Sequence, residues 1–138
     1  MKVLFLLIFA YAFAIGATFS EMIAALKENN VPYMQQIIIT SKDANLAAEN
    51  KKSILMYSVW VGNSAAVNML VARGADINAQ DIDGKTALML ALYTQREEIA
   101  IFLINAGADL TLVSNDKQSA LSMMGAKDKE ELLQMLQK

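Results

Sequence analysis

Two segments of this chain recur at one spacing. Gly74-Ala75-Asp76-Ile77-Asn78 returns 33 residues later as Gly107-Ala108-Asp109-Leu110-Thr111, and in the same register Ser53-Ile54-Leu55-Met56 returns as Thr86-Ala87-Leu88-Met89. Two different motifs sharing one period mark a structural repeat, because chance matches would have no common spacing. Such a period restricts the chain to stacked supersecondary units, each covering its neighbour's apolar face. The register extends both ways. Leu55 aligns with Met22, Leu88 and Leu121, and Leu70 with Ile37, Leu103 and Leu136. Asp43 aligns with Asp76 and Asp109, and Asn45 with Asn78. The first and last copies keep the apolar columns but lose the motifs, as terminal caps that pack on one side do.

Within each copy the residues predict two helices. Ser53 and Thr86 are N-caps of a short first helix, whose columns Leu55/Leu88 and Met56/Met89 face neighbouring repeats. A second helix places Val67, Leu70 and Val71, or Ile99, Phe102 and Leu103, at three- and four-residue spacing. Gly74 and Gly107 end it, since a left-handed conformation there costs glycine little. Pro32 falls near the start of the corresponding helix in the first copy, where a missing amide hydrogen does no harm. An extended finger, such as Asn78 to Lys85, then leads to the next copy.

Gly84-Lys85-Thr86-Ala87-Leu88-Met89-Leu90-Ala91 and the two Gly-Ala-Asp segments resemble the ankyrin-repeat family, whose pattern is G-x-T-P-L-H-x-A with a G-A-D-x-N turn. The resemblance runs from about Ser20 to the C-terminus, with approximate repeats at 20–52, 53–85, 86–118 and 119–138. Ile54, Ala87 or Ala120 replaces the proline of the pattern, and Met56, Met89 or Ser122 its histidine. Losing a rigid turn residue and a hydrogen-bonding side chain implies a softer array. The expected fold is all-α: a right-angled solenoid of helix-turn-helix units with extended fingers and a concave face. The expected function is a non-catalytic protein–protein interaction module.

An export signal precedes the repeats. Met1-Lys2 gives a basic start and Val3 through Ile15 an apolar run, followed by the small residues Gly16-Ala17. This is the layout of a secretory signal peptide cleaved after Ala17, or secondarily after Ala14, and it is short of the roughly 20 apolar residues of a membrane span. Residues 18–138 then form one domain with 11 basic and 14 acidic residues. That balance argues against nucleic-acid binding, and no membrane association is expected after cleavage. An exported domain with no cysteine suits a bacterial periplasm, with full secretion as the alternative.

The chain has no histidine and no cysteine, which removes serine and cysteine triads and the usual zinc sites. Asp81-Ile82-Asp83-Gly84 lacks the remaining ligands of a calcium loop and reads as a turn. Gly84-Lys85-Thr86 lacks the upstream glycine of a phosphate loop. A carboxylate-only enzyme is a remote alternative, and no catalytic residue, metal or cofactor is expected.

One constellation points to binding. Trp60 and Tyr93 are one period apart, and the family pattern puts their column near the end of the first helix on the concave face. Accessible large aromatics there are typical interface anchors. Tyr57, one turn before Trp60, either widens the patch or packs as local core. Glu49, Asn50, Lys52, Ile82, Asp83 and Lys85 on the fingers would form the rim. The chain also looks similar to small exported bacterial ankyrin proteins, some of them associated with catalase and peroxide defence. That likeness implies an alternative: a haem-binding or catalase-accessory protein with Tyr57 or Tyr93 as the haem ligand.

Overall fold

Hydroxyl and amide side chains at equivalent places start the helices. In the computed structural model, which describes residues 18–136, Thr18 caps α1 (Phe19–Lys27) and Asn30 caps α2 (Val31–Ile37), with Pro32 in its first turn. Ser53 caps α4 (Ile54–Val61) and Thr86 caps α6 (Ala87–Tyr93), each hydroxyl accepting from a backbone N–H at 3.2 Å, that of Met56 or Met89. Asn63 caps α5 (Ser64–Ala72) and Ser119 caps the one-turn α8 (Ala120–Met123). The single turn α3 (Ser41–Ala44), α7 (Glu97–Asn105) and α9 (Ala126–Leu136) complete the described helices. The expected signal segment, residues 1–17, lies outside the described residues.

The helices form two rows. In the inner row α4 packs between α1 and α6, and α6 continues to α8; in the outer row α5 packs between α2 and α7. The apolar columns lie between the rows. Met22, Leu55 and Leu88 are buried along the inner row, and Met34, Val67 and Ala100, again one period apart, along the outer row. Each fully buried large aliphatic side chain contributes about 1.5–3 kcal/mol, so the array is held mainly through neighbour contacts. Ala25, Ser58 and Ala91 form a buried column of small residues that allows the helices to approach closely. Its last member is Met124, also buried, so the larger side chain fills the space at the end of the stack.

Fingers project from the repeats and are joined edge to edge. Each is closed by a backbone bond, from Ala48 N–H to Lys52, Asp81 N–H to Lys85 and Ser114 N–H to Gln118, at 2.9–3.0 Å. The Ile82 N–H then donates to the Asn50 carbonyl of the previous finger, and the Asn115 N–H to that of Asp83, both at 2.9 Å. At their bases the Asn45 side chain accepts from the Asp76 N–H at 2.6 Å, and Asn78 from the Asp109 N–H at 2.8 Å. The polar residues of the repeated motif therefore lock the spacing between units.

The first copy departs from the register at α3. Its Asp43 does not take the role of Asp76 and Asp109, whose carboxylates accept from backbone N–H groups two residues on. The Asp43 carboxylate is instead buried and accepts from the N–H groups of Ile39 and Thr40 in a reciprocal capping box. Ser41 stands there where later copies have Gly74 and Gly107, and with Thr40 before it the chain enters a helical turn.

Candidate partner-binding face

The inner helices bury one side and present the ends of the other. Trp60, next to last in α4, is 51% exposed, and Tyr93, last in α6, is 72% exposed, while Leu55, Met56, Leu88 and Met89 of the same helices are buried. The Lys52 ammonium lies 5.8 Å from the Trp60 ring centre and 5.9 Å from that of Tyr57. Tyr57 is half-buried and meets Phe19 edge-to-face, with ring centres 5.6 Å apart. It belongs both to the packing of α1 on α4 and to the base of the exposed patch.

Trp60 and Tyr93 border an open groove of about 310 Å³ between the inner helices and the fingers. Met89, Leu90 and Met123 supply its apolar wall, and Lys52, Asp83, Lys85, Asp116 and Gln118 its polar one. Asp81 is buried at the finger base and holds the finger in shape, its carboxylate accepting from the N–H groups of Asp83 and Lys85 at 3.0 and 2.9 Å. One period on, Ser114 takes that place, its hydroxyl donating to Asp116 and accepting from the Gln118 N–H. The Ser114 hydroxyl chiefly, and the Lys85 charge more weakly, hold the Asp116 carboxyl below its usual range.

Paired helices, projecting fingers and a groove between them make the repeat unit recognisable. A model of ankyrin repeats, in three copies, matches residues 21–114, about two thirds of the chain. The chain belongs to the ankyrin-repeat family. Ankyrin repeats generally mediate protein–protein interaction, and proteins built from them are typically non-catalytic modules. A comparison with curated proteins gives no match.

The ankyrin register also shows which candidates gather in the groove. Trp60, Tyr93, Lys52, Asp83 and Lys85 do. Glu49, Asn50 and Ile82 do not line it; Asn50 bonds the neighbouring finger through its carbonyl, and Ile82 is 62% exposed on the finger surface. Ser114, Asp116, Gln118 and Met123 complete the groove and are absent from the sequence-derived candidates. Asp116 and Gln118 lie one period beyond Asp83 and Lys85, and Met123 two periods beyond Tyr57, so carrying the register through the last ankyrin copy would have found these three; Ser114 aligns with Asp81, itself outside the candidates. Tyr57 and Tyr93, the phenols considered for haem, have unlike settings, the first packed on Phe19 and the second open.

Proposed function

We propose that this ankyrin-repeat protein is an exported interaction module that docks a folded protein partner on its concave face, with Trp60 and Tyr93 as anchors. One observation carries the reading: two large aromatics in adjacent repeats stay at least half exposed beside one groove, on helices whose other apolar residues, Val61 apart, are buried or half-buried. Aromatic side chains bury much area with few rotatable bonds, and such anchors dominate interface energies. Lys52, Asp83 and Lys85 supply a polar rim, extended along the finger surface by Glu49, Asn50 and Ile82.

Action after export, in a bacterial periplasm, is part of the proposal. It is supported by the basic start and apolar run of residues 1–15 and by the small residues Gly16-Ala17. The capping box of α1 is complete within Thr18–Glu21, so a cut after Ala17 leaves the first helix its cap. No described helix is long and apolar enough to cross a membrane.

The test is affinity capture from envelope extract of the native organism, comparing wild type with the folded Trp60→Ala/Tyr93→Ala variant. A partner enriched by wild type and lost from the variant supports the anchors. Equal capture by both baits, with equal thermal stability, makes the ridge structural and removes the proposal.

A further inference from the structure

The aromatic ridge is built twice and completed once. Lys52, at the end of the first repeat, stands over Trp60 of the second, within the roughly 6 Å reach of a cation–π contact. One period on, the equivalent residues are Lys85 and Tyr93. Among the described residues no cation lies over the Tyr93 ring, and the charge of Lys85 acts on Asp116 of the third finger. A further period on, the lysine column ends in Gln118, so that finger supplies no substitute.

The surroundings of Tyr93 are matched to a cation. Asp83 and Asp116, on successive fingers, line the same groove and are exposed. The Asp83 carboxylate makes no hydrogen bond or ion pair among the described residues, since its backbone N–H and carbonyl make the finger contacts. Of the two ammonium groups lining the groove, that of Lys52 stands over Trp60 and Tyr57, which leaves the ammonium of Lys85 against the carboxylates of Asp83 and Asp116. An incoming anion would face both carboxylates, and an apolar group would use the ring and leave the carboxylates without a partner. A guanidinium or ammonium uses both, stacking on the ring while donating to carboxylate.

We propose that Tyr93, Asp83 and Asp116 form a receptor for an arginine or lysine side chain of the protein partner, repeating with a foreign cation the contact that Lys52 makes with Trp60. This rests on the concave-face reading above and specifies the chemistry of what docks there.

The probes are three fluorescein-labelled short peptides, alternating glycine with arginine, glutamate or norleucine, titrated with the full-length protein and read by fluorescence anisotropy. The arginine peptide is expected to bind, at least about fivefold tighter than the other two. Asp83→Asn/Asp116→Asn is expected to weaken it about fivefold or more, and Tyr93→Leu about threefold. Glu97→Gln/Glu98→Gln, which removes the same charge from the exposed start of α7, is expected to cost less than about twofold. The substituted side chains are exposed, and thermal melts check that each variant keeps its fold. No binding of the arginine peptide, equal binding of the three peptides, equal losses in the two acidic double variants, or full affinity in Tyr93→Leu overturns the receptor. If it falls while Trp60→Ala/Tyr93→Ala still loses its captured partner, the concave face stands and only the cation receptor is removed.

Discussion

The backbone at single residues repeats as faithfully as the apolar columns. Asn29, Gly62 and Gln95 share one column with φ of 54°, 79° and 57°, and Lys51, Gly84 and Lys117 share another with φ of 60°, 73° and 60°. The first column makes the turn between the inner and outer helix of a repeat, and the second makes the finger tip. A residue with a side chain pays roughly 1–2 kcal/mol in the left-handed region, partly offset because glycine frees the unfolded chain by about 0.4–1 kcal/mol. Gln95→Gly should therefore raise the unfolding free energy by about 0.5–1 kcal/mol, while Gly62→Ala should lower it by about 1 kcal/mol. In Gly62→Ala the new methyl also meets the flexible Arg96 guanidinium, which lies 2.5 Å from where an ideal Cβ would stand and must swing aside. Urea denaturation of both variants checks this, and a destabilised Gln95→Gly would contradict it. Gly74 and Gly107 were legible as turns from residue type, whereas Lys51, Gln95 and Lys117 were not. A lysine or glutamine carries no compositional sign of a left-handed backbone, and only its alignment with a glycine one period away reveals it.

At the scale of elements, one column samples the stack from end to end. Met22, Leu55 and Leu88 on α1, α4 and α6 are buried, but Leu121 on α8 is 41% exposed, because among the described residues no inner helix lies beyond α8 to cover it. Leu88→Ala should cost about 2–5 kcal/mol, the range for a large-to-small change in a packed core. Leu121→Ala should cost less than about 1 kcal/mol, since much of that side chain is in water already. Equal losses in chemical denaturation would show that something covers the end of the stack in solution. Periodicity made the two helices of each repeat legible, with the caps Ser53 and Thr86 and the fingers between them. It did not show α3, because Asp43 shares a column with Asp76 and Asp109 while its neighbours Thr40 and Ser41 convert a turn aspartate into a capping one. The far wall of the groove was missed for a related reason. Ser114 and Gln118 share a finger shape with Asp81 and Lys85 but not their residue types, so shape is maintained by a hydroxyl where the earlier finger uses a carboxylate.

For the whole molecule, electrostatics separates neutral from acidic conditions. Three carboxylates spread along the stack have pKa values below the usual range: Glu21 through the backbone and side-chain donors of Thr18, Asp109 through the hydroxyl and N–H of Thr111, and Asp116 through the hydroxyl of Ser114. A carboxyl held lower in the folded state binds its proton less readily than in the unfolded chain. Its stabilisation is present above the unfolded pKa, near 4, and is lost as pH falls through the lower folded value. With no histidine or cysteine in the chain, no side chain of ordinary pKa titrates between about pH 5.5 and 7.5. The melting temperature should therefore be flat across that window and fall below about pH 4. Thr111→Val and Glu21→Gln should each flatten the acid limb, because one removes the hydroxyl that chiefly favours the charged Asp109 carboxylate and the other removes the titrating group. Thermal melts of wild type and both variants across the pH series provide the check. A fall in wild-type stability between pH 5.5 and 7.5, or an acid limb unchanged in both variants, would mean that some group other than these capped carboxylates governs the response.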